Sequence, residues 1–389
     1  MRRRDFLACA GAAGVAGACG PARGAQATAA FRLRDAVAIP AWAKREICLG
    51  LARYWAWKGE DETVAFPIVT DVHSRTGALP KDLSFADSKM HIFLAQHAAE
   101  EGMADFLADL GDIDLDMGYF KDGKRVAFCE KEQMEARLDA QVRIYEDCPC
   151  PVLFCMGNHD HSAGRYASAQ FGARFNVGVT QARGHALALG PDGSYGFYDI
   201  PAKKTRAIFL NSSDEGYYGY SVAQLAFFAR SLATLPEGWT AFLLQHFCIQ
   251  TVIGRWTSYP DTKAKRQEKV IAVMEDFVAR RKGSADGVAW DFSGRKDARF
   301  AGCFFGDSHF DNYLRANGVD YSISQGYGTV QPKELTIVPT AVYTRFPRDS
   351  QMLVDYVGIK PAKCEVRIFR LGAGGPARDR GYVYGPSPA

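Results

Sequence analysis

The chain has no run of about 18 apolar residues, the length a helix needs to cross a bilayer. No C-x-x-C pair occurs among its ten cysteines, which removes the zinc-ribbon class. The glycine-rich stretch Phe369-Arg-Leu-Gly-Ala-Gly374 lacks the Gly-x-x-x-x-Gly-Lys pattern of a phosphate loop and reads as a turn after a strand. A basic excess is also missing. Residues 1–27 hold four arginines and one aspartate, so without them the formal charge of +3 falls to zero. A neutral chain gains little from counterion release on a nucleic-acid backbone, and no nucleic-acid partner is expected. At 47% hydrophobic and 23% charged, the 389 residues have ordinary globular composition. Disordered, collagen-like and coiled-coil classes fall away. At about 150 residues per domain, the length allows two or three units, or one large domain with additions.

The start of the chain carries an export pattern. Met1-Arg-Arg-Arg-Asp-Phe-Leu7 is followed by an Ala/Gly-rich stretch to Ala18. A charged start, a short mildly apolar run and small residues at a cut site read as a secretory signal. Consecutive arginines before Phe6-Leu7 resemble the twin-arginine address. Ala25-Gln26-Ala27 offers a cut after Ala27, and Val15-Ala-Gly-Ala-Cys19 offers a second one that makes Cys19 a lipid carrier. The expectation is a periplasmic or extracellular protein, lipid-anchored if Cys19 is the processing site. Cys155, Cys248 and Cys303 lie in apolar runs, where cysteine acts as a small hydrophobe. Cys148 and Cys150 flank Pro149 and stand too close for easy pairing with each other. Disulfides are permitted outside the cytoplasm, and none is assigned.

A theme then recurs: a short apolar run, a polar cluster, a helical pattern. Val64–Thr70 ends in Asp71-Val-His73, and Phe106–Leu110 in Gly111-Asp112. Val152–Met156 ends in Gly157-Asn-His-Asp160, and Arg206–Leu210 in Asn211-Ser-Ser-Asp214. Ala241–Leu244 ends in Gln245-His246, and Phe300–Phe305 in Gly306-Asp-Ser-His309. Helical spacing fills 40–58, 88–101, 130–146, 221–234 and 266–281. Residues 310–330 read as a β-hairpin region, and the tail from about 331 holds one clear strand, Glu365–Leu371. Strands alternating with helices predict an α/β class, with ligand groups gathered at the carboxyl ends of the strands.

Those ends deliver Asp71, His73, Asp112, Asn158, His246, Asp307 and His309. Alone, each of these has a bland reading: a structural histidine, or a turn residue after a strand. Together they offer carboxylates, imidazoles and an amide oxygen, a thiolate-free set that suits manganese, iron or zinc, with magnesium or calcium as further candidates. Seven such groups hold two metals if one carboxylate bridges.

The ordered segments Asp71-x-His73, Gly111-Asp112, Gly157-Asn-His-Asp160, His246 and Gly306-x-x-His309 resemble those of the calcineurin-like metallophosphoesterases. The resemblance covers roughly residues 64–312. It implies a four-layer α/β/β/α sandwich of two mixed sheets, two divalent metal ions, and hydrolysis of a phosphate mono- or diester by a hydroxide held between them. In that reading Asp112 bridges, Asp71, His73 and His309 complete one site, and Asn158 and His246 bind the second. His159 protonates the leaving group and Asp160 orients its imidazole. The substrate would be a small-molecule or envelope phosphate ester. Domain boundaries follow: 1–27 export signal, 28–63 helical lead-in, 64–330 core, and 331–389 a strand-bearing extension.

Two positions depart from the family pattern. Asp307 stands where the family usually has histidine, and Leu115 where it often has aspartate, with Asp114 and Asp116 on either side. Asp307 as a ligand makes the second site harder and more negative. Asp307 also motivates a different class of function, a non-catalytic exported binding protein with an incomplete metal site. After His246, residues 247–263 lack periodicity and form a loop of the kind that carries specificity. Arg255 is a candidate for a phosphate oxygen, and Trp256 and Tyr259 for a ring or sugar.

Overall fold

Short apolar runs become strands here because their alternate side chains enter two different hydrophobic layers. The computed structural model describes residues 33, 37–73, 89–113, 119–122, 124–126, 129–164, 166–216, 218–249, 264–308, 311–324, 353–372 and 375–385. Residues 1–27, Asp114, Asp116, Arg255, Trp256, Tyr259 and His309 lie outside them.

In chain order come α1 (Ala41–Lys58), β1 (Val64–Val69), α2 (Met90–Glu101), β2 (Leu107–Asp109), β3 (Tyr119–Lys121), β4 (Lys124–Val126), α3 (Lys131–Glu146) and β5 (Val152–Phe154). A short helix α4 (Ser168–Gly172) runs into a π-helical turn over Ala173–Thr180. Next are β6 (Ala188–Leu189), β7 (Gly196–Ile200), β8 (Thr205–Phe209), α5 (Val222–Ala233), β9 (Thr240–Gln245), α6 (Gln267–Val278), β10 (Lys282–Ala285) and β11 (Val288–Asp291). The last are β12 (Arg299–Phe305), β13 (Asn312–Ala316), β14 (Val319–Ile323), β15 (Leu353–Lys360), β16 (Glu365–Gly372) and β17 (Arg380–Val383). Among the described residues, no helix is long and apolar enough to cross a membrane.

One sheet has the order β17-β16-β15-β1-β2-β5, the other β13-β14-β12-β9-β8-β7-β6. Both are mixed. Strands β1, β2 and β5 are parallel while β15 runs antiparallel to β1. Strands β8, β9, β12 and β14 are parallel, and β7 and β13 are antiparallel to their neighbours. Strand β1 sends Val64, Phe66 and Ile68 to the space between the sheets and Ala65 and Val69 to the outer side. Strand β9 likewise divides Phe242 and Leu244 from Ala241 and Leu243. The inner layer is built on stacked rings, with Phe66 4.5 Å from Phe106 and 5.4 Å from Phe242. The outer layers take Leu51, Phe93 and Leu138 from α1, α2 and α3 on one side, and Phe228 and Met274 from α5 and α6 on the other. Three apolar layers between four layers of secondary structure make the α/β/β/α sandwich that the resemblance implies, within the α/β class that the strand pattern predicts.

Strand β5 is a sheet edge, and its free backbone groups need partners. The π-helical turn supplies them. Asn176 Oδ1 accepts the Phe154 N–H and its Nδ2 donates to the Phe154 carbonyl, each at 3.2 Å, and Thr180 Oγ1 donates to the Val152 carbonyl at 2.5 Å. The strand that delivers Gly157-Asn158 is thereby held on both sides.

The tail differs from expectation. It contributes a three-stranded antiparallel meander, β15 to β17, whose first strand pairs with β1. Asp355, Gly358 and Lys360 interrupt the apolar pattern of β15, which is why the strand is hard to read. Asp355 is tolerated because Arg370 lies directly opposite in the ladder. Arg370 Nε donates to Asp355 Oδ1 at 2.9 Å and its Nη2 to Asp311 Oδ1 at 2.6 Å. Arg380 Nη2 donates to Asp355 Oδ2 at 2.6 Å and to the Ile323 carbonyl at 3.0 Å, tying the tail to the other sheet.

Burial alone would raise the Asp355 carboxyl, but the Arg370 and Arg380 guanidiniums hold it below the usual carboxylate range. A depressed folded-state pKa contributes stability that is present above the unfolded value of about 3.9 and is lost as pH falls below it. Asp355→Asn leaves buried guanidiniums short of a counter-charge and is expected to cost about 3–5 kcal/mol at pH 7. Urea unfolding should show that deficit shrinking below about pH 4. A pH-independent deficit would contradict the assignment.

Candidate metal centre

Every polar cluster of the repeating theme lies where a parallel strand ends. Asp71 and His73 follow β1, Asp112 follows β2, Asn158 follows β5, His246 follows β9 and Asp307 follows β12. The first three strands belong to one sheet and the last two to the other. The carboxyl ends of both sheets therefore face one site, as expected for open α/β sheets.

His246 is the clearest member. It is fully buried. Its Nδ1 stands 2.8 Å from the Leu110 carbonyl, an atom that only accepts, so Nδ1 carries the proton and donates it. Nε2 then faces the site. Around it stand three oxygens: Asn158 Oδ1 at 3.0 Å, Asp112 Oδ1 at 3.3 Å and Asp307 Oδ1 at 3.5 Å. None of these oxygens donates a hydrogen bond when the carboxyls are ionised. Such a group of lone pairs requires a positive centre, either a proton or a metal ion. Burial lowers the His246 pKa, but the Asp112, Asp307 and Asp71 carboxylates overcome it and hold the imidazole well above its ordinary value. The donor set therefore fits a cation.

Asp112 joins this group to a second one. Asp71, Asp112 and His246 bring ligand atoms within 4.8 Å of one another, and so do His73, Asp112 and His159. Asp112 Oδ2 lies 3.7 Å from His73 Nε2 and 3.8 Å from His159 Nε2. The two rings meet edge to face at 4.6 Å. Burial raises the Asp112 carboxyl, yet the His246, His159 and His73 imidazoles keep it far below the usual range. One carboxylate with an oxygen toward each group is the arrangement a bridging ligand needs.

The backbone here is strained in a regular way. Asp71, His73, Asp112 and Asp307 have φ of 55°, 46°, 56° and 59°, a left-handed conformation that costs of order 1 kcal/mol or more per non-glycine residue. Interlocking hydrogen bonds enforce it. The Asp71 N–H donates to the Gly111 carbonyl at 2.9 Å and the His73 N–H to the Asp112 carbonyl at 2.8 Å. Asp160 Oδ2 accepts the Asp112 N–H at 3.0 Å and the Gly157 N–H at 2.8 Å. The His159 N–H donates to Asp112 Oδ1 at 2.9 Å. Asp71 Oδ2 accepts the Thr70 hydroxyl at 2.7 Å and the Asp307 N–H at 3.1 Å. Two glycines allow the approach. A Cβ on Gly157 would lie 2.2 Å from Asp112 Oδ1, and one on Gly306 would lie 1.9 Å from Thr70 Oγ1.

Asp71, His73, Asp112, Asn158, His159, Asp160, His246 and Asp307 thus share one site. Asp160 bears on the backbone of Asp112 and Gly157, so its clearest role is to fix the two turns on either side of the bridge. His161 Nε2 stands 2.5 Å from the Ser213 carbonyl. Thr70, the Leu110 carbonyl and Asp109 escape a ligand-based reading. Thr70 and Asp109 were visible only as polar residues in apolar runs.

No family model and no curated protein matches the chain. Solved structures do. A dimetal phosphatase from Danio rerio aligns with 82% of this chain and 99% of its own, with TM-score 0.53 and 12% identity. A purple acid phosphatase from yellow lupin (Lupinus luteus) seeds aligns with 84% of this chain and 53% of its own, with TM-score 0.45 and 11% identity. GAP50, the anchor in the inner membrane complex of Plasmodium, aligns over 84% and 90%, with TM-score 0.44 and 11% identity. At such identities it is the fold that is shared. The fold is the one seen in the Danio rerio dimetal phosphatase.

Gly157→Ala tests the packing at the bridge. The added methyl group must displace Asp112 Oδ1 or its backbone nitrogen. The expected result is a loss of Mn²⁺ affinity of about tenfold or more, measured by calorimetry. Unchanged affinity would show that this contact does not set the site.

Proposed function

We propose that the chain is an exported, calcineurin-like phosphoesterase that hydrolyses a phosphate mono- or diester at a dinuclear metal centre. The observation that carries this reading is the ring of Asn158, Asp112 and Asp307 oxygens around His246 Nε2, sharing Asp112 with the His73 group. Asn158, His246 and Asp307 would hold one ion, Asp71 and His73 the other, and Asp112 both. His309, two residues past Asp307, is assigned to the Asp71 side. When bound, a pair of divalent ions supplies charge stabilisation for an in-line displacement and a water of lowered pKa. The oxygen-rich set of Asp112, Asn158 and Asp307 favours manganese or magnesium over softer ions.

The chain's own residues supply the rest. The His159 imidazole is partly exposed, with 21% of its side chain open, whereas Asp71, His73, Asp112, Asn158 and His246 are buried. That exposure supports its proposed role, to meet substrate and give a proton to the leaving oxygen. Its backbone N–H to Asp112 Oδ1 keeps it in register with the centre. Asp307 stands with the ligand atoms, which supports a complete donor set over the reading of a non-catalytic binding protein. Arg255, Trp256 and Tyr259 are proposed to contact substrate from the loop after His246. The proposed substrate is a small-molecule or envelope phosphate ester outside the cytoplasm.

Asp112→Asn is expected to abolish hydrolysis of an artificial aryl phosphate ester. His159→Ala should lower turnover by about 10²–10⁴-fold, the contribution of a positioned general acid. Full turnover in either variant would overturn the mechanism.

A further inference from the structure

Asp109 is a buried carboxyl that the proposed reaction does not use. It ends β2 and is fully shielded from solvent. Its Oδ1 accepts the Gly111 N–H at 3.0 Å, and its Oδ2 accepts the Tyr145 hydroxyl in a short bond. Tyr145 stands near the end of α3, equally buried, with its ring edge-on to Phe154 of β5 at 4.9 Å. Burial raises the Asp109 carboxyl to about 7, against the opposing pull of Tyr145, the Gly111 N–H and His246. In a strand buried on both faces, an apolar residue would be more stable than an acid. The return has to come from what the carboxyl holds.

What it holds is the turn carrying the bridge. Gly111 has φ 99° and Asp112 φ 56°. The Gly111 carbonyl accepts the Asp71 N–H, and the Asp112 carbonyl accepts the His73 N–H. Hydrogen bonds therefore run from the Tyr145 hydroxyl through Asp109 and Gly111 to the backbone of Asp71, and the Gly111–Asp112 peptide bond carries the link on to Asp112, whose carbonyl holds His73. Residues that orient metal ligands affect affinity about as strongly as some ligands do.

We infer that Tyr145 and Asp109 are positioning residues of the metal centre, locking the Gly111–Asp112 turn so that affinity depends on a helix residue outside the ligand set. The inference rests on the metal-centre reading above. Its test is calorimetric titration of the full chain with Mn²⁺ alone, alongside the thermal midpoint of the metal-free protein. Tyr145→Phe is expected to raise the Mn²⁺ dissociation constant about tenfold or more. Asp109→Asn removes the charge and one acceptor from the same link; it should do at least as much, and it decides the matter if the first variant does not fold. Leu138→Ala is the control, a core residue of the same helix. It should lower the thermal midpoint and leave the dissociation constant unchanged. Equal constants in wild type and both link variants overturn the inference, as does an equal loss in Leu138→Ala. A wild-type chain that binds no Mn²⁺ overturns the metal-centre reading and the inference together.

Discussion

Three carboxylates, Asp71, Asp112 and Asp307, meet one buried imidazole at the seam between two sheets, and their mutual repulsion is the constraint on which the site depends. Charges of one sign in a low-dielectric interior are costly unless a cation answers them. His246 supplies part of the answer through its raised pKa. Its Nδ1 is committed to the Leu110 carbonyl, so only one nitrogen is left to face three oxygens. The proposed pair of divalent ions would relieve all of these groups at once.

The sandwich makes that crowding tolerable. Strands β1, β2 and β5 enter from one sheet and β9 and β12 from the other, each stiffened by an apolar layer on both faces. Rigid strand ends hold short turns in left-handed conformations that isolated peptides would abandon. The same turns are cross-linked: Asp160 spans the β2 and β5 ends, and Asp71 spans the β1 and β12 ends. Four of the non-glycine residues in left-handed conformation, Asp71, His73, Asp112 and Asp307, lie in this one site.

Much of this was legible in the residues. The apolar run followed by Asp, Asn or His placed the strands to within a residue or two, because buried parallel strands leave an unbroken hydrophobic signal. Clustering of the ligand types at strand ends located the site. The failures have physical causes. Strand β15 hides behind Asp355 and Lys360: the burial of Asp355 makes sense only with Arg370 opposite, 15 residues on in sequence, and that of Lys360 only with Asp61, which precedes β1. The π-helical turn over Ala173–Thr180 answers a sheet edge, which no local pattern announces. Sequence adjacency ties Asp160 to the neighbouring imidazole but does not reveal that its carboxylate also accepts two backbone amides. Asp109 passed as part of a strand because its partner, Tyr145, sits on a distant helix.

The central claim is that Asp112 is shared by two cations. Electron paramagnetic resonance of the Mn²⁺-loaded chain addresses it directly, since two ions bridged by one carboxylate are magnetically coupled and isolated ions are not. The account predicts two Mn²⁺ per chain with the signature of a coupled pair, as a two-metal site requires. A spectrum of isolated Mn²⁺, or binding of a single ion at saturation, would contradict it.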